Sequence, residues 1–221
     1  MSGVEDGIKT FNSREEWLQA RAATIGGSDA ACLLGMNPYK TNVELWREKK
    51  GITVPPDISE NAAVQYGSNA EPLLRELFKL DHPEFEVFYF PNNLFINDAY
   101  SFAHASLDGW IKRGDQFGIL EIKTATIFQG SQFGKWNDSI PDNYYCQVLW
   151  YMMIMDAHFA WVQALLRWVH PDGSISEQIR QYSIERDEKV QAEIEYLAEA
   201  GERFWKSLQE DLEPGLILPP I

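Results

Sequence analysis

Ser106-Leu107-Asp108-Gly109, followed a few residues later by Gly118-Ile119-Leu120-Glu121-Ile122-Lys123, puts two carboxylates and an amine within one short stretch of chain. In an extended strand alternate side chains share a face. Glu121 and Lys123 therefore point one way, while Leu120 and Ile122 pack on the other side. A turn through Arg113-Gly114-Asp115 folds the chain back and sets Asp108, at the end of the preceding strand, beside Glu121. Burying an acid next to a base is unfavourable unless the two pair or serve an ion. Two carboxylates and a backbone carbonyl are oxygen donors of the kind Mg2+ or Mn2+ take. An ion held there activates water toward a phosphodiester, and a neighbouring lysine orients or deprotonates that water. The plain alternative is a strand that ends in a solvated Glu–Lys pair.

Three further segments add to this set. Tyr66-Gly67-Ser68-Asn69-Ala70-Glu71 brings a carboxylate just before Pro72, ahead of the strand-rich region. Ile25-Gly26-Gly27-Ser28-Asp29 places small residues and a hydroxyl at a helix start, where free N–H groups favour an anion such as a phosphate. Tyr144, Gln147 and Tyr151 recur at i, i+3 and i+7 on one face of an apolar helix. Each residue has a simpler reading. Glu71 can be a solvated helix residue, Ser28 a helix cap, Tyr144 and Tyr151 core or interface aromatics. Arg21 can pair with Glu15, Glu16 or Asp29. Gln147 lies in a very apolar helix, where a buried amide needs partners.

The elements that must position these groups are legible from capping and periodicity. Ser13-Arg14-Glu15-Glu16 and Thr41-Asn42-Val43-Glu44 fit capping boxes and predict helices over about 13–23 and from 42 to a stop at Gly51. Ser28-Asp29 caps a short helix, 30–34, closed by Gly35. A helix covers roughly 61–80, and Pro72 inside it predicts a kink or a fresh start. Strands are expected over 85–90, 94–97, 101–111 and 119–124. Pro141 opens an apolar helix to about 155. A strand pair follows over 159–168 and 176–185, then a charged helix over 187–208. This order predicts an α/β (α+β) fold in one domain, 1–221, with residues 1–12 flexible and 187–221 a C-terminal helix and tail.

Composition narrows the function classes. The 221 residues carry 19 basic against 33 acidic side chains, a formal charge of −14, which argues against an indiscriminate polyanion binder. Residues 185–213 alone hold ten acids against four bases, so this surface is expected to face away from any nucleic acid. Two cysteines, Cys32 and Cys146, are too few for a disulfide scaffold, a four-cysteine zinc site or an iron–sulfur cluster. Residues 1–10 lack the pattern of a signal peptide, and the longest apolar run, 148–155, is too short to span a bilayer. The expectation is a cytoplasmic protein with no membrane contact.

Taken together, Arg21, Gly26-Gly27-Ser28, Gly67, Glu71, Asp108-Gly109, Glu121-Ile122-Lys123 and Tyr144…Gln147 resemble the YqaJ-type viral recombinase nucleases. These are relatives of lambda exonuclease within the PD-(D/E)xK superfamily. The resemblance runs from about residue 14 to 208. It implies a restriction-endonuclease-like core, a central mixed β-sheet flanked by helices. It implies Asp108, Glu121 and the Ile122 carbonyl as metal ligands, with Glu71 supporting a second ion. Lys123 matches the catalytic lysine and Gln147 the glutamine that holds the lysine, the water or the phosphate. Arg21 and Ser28 match residues that bind a terminal 5′-phosphate, and Tyr144 a tyrosine one turn before the glutamine. The superfamily often carries Pro-Asp at the first acid, whereas Leu107 precedes Asp108 here.

The implied activity is a Mg2+-dependent (Mn2+ as substitute) 5′-to-3′ exonuclease on linear double-stranded DNA, leaving 3′ overhangs for recombination by single-strand annealing. The implied partners are DNA ends, two further copies in a homotrimer ring, and a single-strand annealing protein, in the cytoplasm of a phage's bacterial host. Trp136, Trp168 and Trp205 are candidates for the exposed apolar surface of such a ring. The alternatives are a site-specific endonuclease of the same superfamily, or a non-catalytic DNA-end-binding or assembly subunit.

Overall fold

Helix α1 (Arg14–Ala22) starts where predicted, because the Ser13 hydroxyl accepts the Glu16 N–H at 3.2 Å. The computed structural model describes residues 8–218. The expected flexible lead lies outside the described residues over 1–7, and Ile8–Thr10 form strand β1. Helix α2 is a single turn (Gly27–Ala30) continued by a 3-10 turn (Ala31–Leu34) and closed by Gly35 in the left-handed region, φ 70°. Helix α3 (Asn42–Lys49) carries the full capping box, with Glu44 Oε2 accepting the Thr41 N–H at 2.8 Å.

Helix α4 (Ala62–Asp81) is one helix. Of the two outcomes expected at Pro72, the fresh start does not occur. Proline removes one backbone hydrogen bond, and the apolar stripe Ala70, Leu74 and Phe78 holds both halves against the sheet. The strands are β2 (Glu86–Phe88), β3 (Asn93–Phe95), β4 (Gly109–Arg113) and β5 (Gln116–Ile127). After a short helix α5 (Gly130–Gly134), which the sequence reading lacked, come α6 (Asp142–Met155), β6 (Phe159–Val169), β7 (Ile175–Glu185) and α7 (Glu188–Gln209). The strand expected over 101–111 exists only from Gly109. Residues 101–108 cross the molecule irregularly, tied by isolated bridges from Ala103 to Ile25 and Ala105 to Phe95. Asp108 thus immediately precedes a strand instead of ending one.

One five-stranded sheet runs β2-β4-β5-β6-β7, and β1 pairs separately with β3. All neighbours are antiparallel except β5 and β6, which are parallel. A parallel pair needs a crossover, and α6 lies within it. The pleat of β5 sorts its side chains between two cores. Leu120 and Ile122 pack with Leu74 and Phe78 of α4, while Ile119 joins Trp150 and Met152 of α6 and Ile194 and Leu197 of α7. Glu121 and Lys123 share the parity of Ile119 and so face α6. Among the described residues no helix is long and apolar enough to cross a membrane.

Candidate active site

β4 and β5 pair Gly109 with Leu120, so the next step in register brings Asp108 level with Glu121. The Asp108 carboxylate accepts the Ile122 N–H through Oδ2 at 2.9 Å, which fixes it over the start of the Glu121–Lys123 run. Glu121 is 1% exposed. Its Oε1 takes Lys123 Nζ at 2.5 Å and Gln147 Nε2 at 2.8 Å, and its Oε2 is buried with no partner. Gln147 reaches in from α6 and serves three groups. Its Oε1 accepts Lys123 Nζ at 3.0 Å, and its Nε2 also donates to the Tyr151 hydroxyl at 2.9 Å. The Lys123 ammonium lies 5.0 Å from the Tyr144 ring centre, and that ring stacks on Trp136 at 5.5 Å. Trp136 is therefore buried beneath the site and cannot belong to an exposed assembly surface.

Arg75 completes the centre, and the sequence reading did not single it out. It is 6% exposed, donates from Nε to the Asp108 carbonyl at 2.6 Å, pairs with Glu71 through Nη2, and stacks over Tyr89 at 3.6 Å. The available signal was its spacing: Arg75 follows Glu71 by one helical turn, so both reach the same side of α4.

The acids are short of positive charge. Burial first, then Asp108, pushes Glu121 up to about 8. Burial and Asp108 raise Glu71 to about 7, against the pull of Arg75. Burial raises Asp108, with Lys123, the Ile122 N–H, Arg75 and Arg21 opposing. Burial favours neutral Lys123, but Glu121 and Asp108 outweigh it and keep the ammonium. With Glu121 and Asp108 beside it, Lys123 holds its proton in the ion-free centre.

A divalent cation suits this donor set. The unpartnered Glu121 Oε2 and the adjacent Asp108 carboxylate are hard oxygen donors in a charge-starved site. Among the described residues no three Asp, Glu, His or Cys side chains converge into a closed ion cage. Glu71 is turned to Arg75. Two carboxylates alone would leave most positions of an oxygen-preferring divalent ion to backbone and solvent.

A cleft of about 1660 Å³ crosses this centre. It brings together all nine residues expected from the sequence: Asp108, Glu121, Ile122, Lys123, Gln147, Glu71 and Tyr144 at the acids, Arg21 and Ser28 toward the rim. Arg21 does not pair with Glu15, Glu16 or Asp29; its guanidinium lies 4.4 Å from the Trp17 ring centre, and Asp29 is held by Lys49 at 3.0 Å. The Gly26–Gly27 step also has a packing role that the sequence does not show. α2 is one turn long, and the Gly26 N–H is already given to Asp29 Oδ2 at 3.2 Å. The glycines provide room. A Cβ on Gly26 would meet His104 Nε2 at 2.7 Å, and one on Gly27 would meet Tyr151 Cζ at 2.7 Å and Gln147 Cγ at 3.0 Å. No residue of α7 lines the cleft, so its acids face elsewhere.

Known proteins share this fold. An alkaline exonuclease from Laribacter hongkongensis superposes with a TM-score of 0.64 at 23% identity, covering 89% of this chain and 93% of that one. The same enzyme in complex with dAMP gives a TM-score of 0.62. A phage-related exonuclease from Haemophilus somnus 129PT gives 0.55 at 15% identity, over 85% of this chain and 96% of that one. At such identities the likeness establishes the fold, which is the restriction-endonuclease-like one. The uncharacterized protein YqaJ of Bacillus subtilis (strain 168) is 33% identical over 161 residues, 66% of this chain. The aligned stretch is 44% of that relative's length. The description "YqaJ-like viral recombinase domain" matches residues 16–158, and the chain belongs to that family.

Proposed function

We propose that this chain is a divalent-ion-dependent exonuclease that digests the 5′-terminated strand of linear double-stranded DNA and leaves 3′ single-stranded overhangs for recombination by annealing. The observation that carries the reading is the buried, unpartnered Glu121 Oε2 beside Asp108, within a salt-bridged set that Lys123 and Gln147 complete. The family's description as a viral recombinase domain and the fold shared with two exonucleases support it.

In this reading Asp108, Glu121 and the Ile122 carbonyl hold Mg2+, for which Mn2+ substitutes, with Glu71 as an outer acid. The bound ion supplies Lewis-acid polarisation of the scissile phosphate and a lowered pKa for water. Lys123, kept as ammonium, donates to the phosphate oxygens and offsets charge that builds in the transition state. Gln147 fixes both Lys123 and Glu121, so neither is free to rotate away. Water adds to phosphorus, the P–O3′ bond breaks, the 3′-oxygen takes up a proton, and the phosphate stays on the new 5′ end. Arg21, spread on Trp17, and Ser28 receive that 5′-phosphate, and Tyr144 lines the path beside Lys123. The proposed assembly is a homotrimer ring around DNA that passes the 3′ strand to a single-strand annealing protein in the bacterial host cytoplasm.

The test is digestion of an end-labelled, 5′-phosphorylated duplex with and without Mg2+, beside a closed circular control. The expected result is ion-dependent release of nucleotides from the linear duplex alone. Nicked circles would point to an endonuclease, and full activity in Asp108→Ala or Lys123→Ala would overturn the mechanism.

A further inference from the structure

The turn that presents Asp108 belongs to no strand, yet Asp108 must be held to within a fraction of an ångström if it is to share an ion with Glu121. Asn93, at the start of β3 and 3% exposed, holds that turn. Its Oδ1 accepts the Leu107 N–H at 2.8 Å, and its Nδ2 donates to the Leu107 carbonyl at 2.9 Å and to the Phe90 carbonyl at 2.7 Å. One side-chain amide thus satisfies both backbone groups of the residue before Asp108, as a neighbouring strand would. The Asn93 main-chain carbonyl accepts the Ser106 hydroxyl at 2.7 Å, which pins the same turn again.

That carbonyl also accepts Trp17 Nε1 at 2.8 Å. Trp17 is the ring on which the Arg21 guanidinium lies, at 4.4 Å. Asn93 therefore joins the acidic turn to the platform of the rim arginine. A buried asparagine that only satisfied itself would need no more than the nearest backbone groups.

We infer that Asn93 is a positioning residue: its buried side-chain amide sets the Asp108 turn, and with it ion affinity at the acids, while its main-chain carbonyl anchors Trp17 beneath Arg21, and with it the preference for a 5′-phosphate. This rests on the roles given to Asp108 and Arg21 under the proposed function.

The experiment measures Mn2+ binding by calorimetry, and digestion rates on 5′-phosphate and 5′-hydroxyl duplexes, in wild type, Asn93→Ala, Trp17→Phe and Asn42→Ala. Asn42 is a second buried asparagine, 1% exposed, that binds the C-terminal tail, so its variant reports what losing such an amide does to stability alone. Asn93→Ala is expected to weaken Mn2+ about tenfold, the equivalent of roughly one hydrogen bond to a charged centre, and, since it keeps the main-chain carbonyl under Trp17, to lower the phosphate preference less than Trp17→Phe does. Trp17→Phe keeps a ring under Arg21 and is expected to lower the phosphate preference while Mn2+ affinity stays within about twofold. Asn42→Ala is expected to lower Tm and to change neither readout. If Asn93→Ala does not fold, Trp17→Phe decides the matter, and an unchanged phosphate preference there overturns the coupling. Wild-type values in Asn93→Ala, or changes no larger than those of Asn42→Ala, overturn the inference alone. A wild-type chain that takes up no Mn2+ overturns the proposed function and the inference with it.

Discussion

A single methyl group added at Gly27 tests the geometry of the centre from outside it. Gly27 touches none of the acids, but the Cβ of Gly27→Ala would lie 2.7 Å from Tyr151 Cζ and 3.0 Å from Gln147 Cγ. Carbon atoms in ordinary contact sit about 3.5–4.0 Å apart, so the ring must retreat by roughly 1 Å, carrying the hydroxyl that Gln147 bonds, and the glutamine stem by about half as much. Tyr151 is 2% exposed and fully packed, which leaves rigid displacement of α6 as the main relief. Overpacking of this kind costs about 1–3 kcal/mol. At about 2–4 °C per kcal/mol for a chain of this size, Tm should fall by roughly 2–12 °C. The functional effect should be larger. Gln147 holds Lys123 at 3.0 Å and Glu121 at 2.8 Å, and a 1 Å misplacement of a catalytic group lowers rates about a hundredfold. The assay is nucleotide release from a 5′-phosphorylated duplex, with thermal melting on the same preparation. Gly130→Ala, whose Cβ meets nothing within 4 Å, is the control and should leave both unchanged. Gly27→Ala that melts lower but cuts within threefold of wild type would refute the argument that this contact aligns Gln147.

The remaining expectations follow from the same contacts. Gln147→Leu removes three hydrogen bonds, two of them to charged groups, and should cost about 2–4 kcal/mol and lower kcat far more than it changes KM, measured by denaturant unfolding and steady-state digestion. Glu121 and Glu71 have raised pKa values, near 8 and 7, so the folded ion-free protein binds more protons than the unfolded chain between about pH 4.5 and 8. Its stability should therefore decline as pH rises through that window, and Mg2+ should raise Tm more at pH 8.5 than at pH 6 in a melting series. Asn42→Ala frees the tail by removing hydrogen bonds to Gly215 and Ile217, and should cost about 1–3 kcal/mol and speed proteolysis at residues 211–218.

Much of the centre was legible because it lies on one strand. The parity of Glu121 and Lys123, with Leu120 and Ile122 opposed, is a local property of extended chain, and the structure preserves it. Capping oxygens at Ser13 and Thr41 gave helix starts for the same reason. What escaped depends on chain segments far apart. Residues 101–108 were expected as strand, but they are tied instead to Ile25 and to Asn93. Arg75 is an ordinary basic residue until the Asp108 carbonyl is seen beside it. The Gly26–Gly27 pair was visible as a motif, but its close approach to Tyr151 and Gln147 was not, because nothing local reveals that α6 passes against it. Trp136 was a candidate for exposed surface, but it is buried against Tyr144 and Tyr182, the second of which comes from a distant part of the chain.

The connections that assemble the centre also say when it can exist. Lys123 meets Gln147 across 24 residues, Arg75 meets Asp108 across 33, and Trp17 meets Asn93 across 76. Contacts between such distant partners form late, since loop closure must precede them. A chain emerging from the ribosome carries Asp108, Glu121 and Lys123 well before α6 follows. Until α6 folds back alongside β5, the lysine has no amide to steady it and the glutamate no donor from the helix. Under the proposed function, cutting competence is therefore a property of the finished fold, and a chain still short of α6 lacks it.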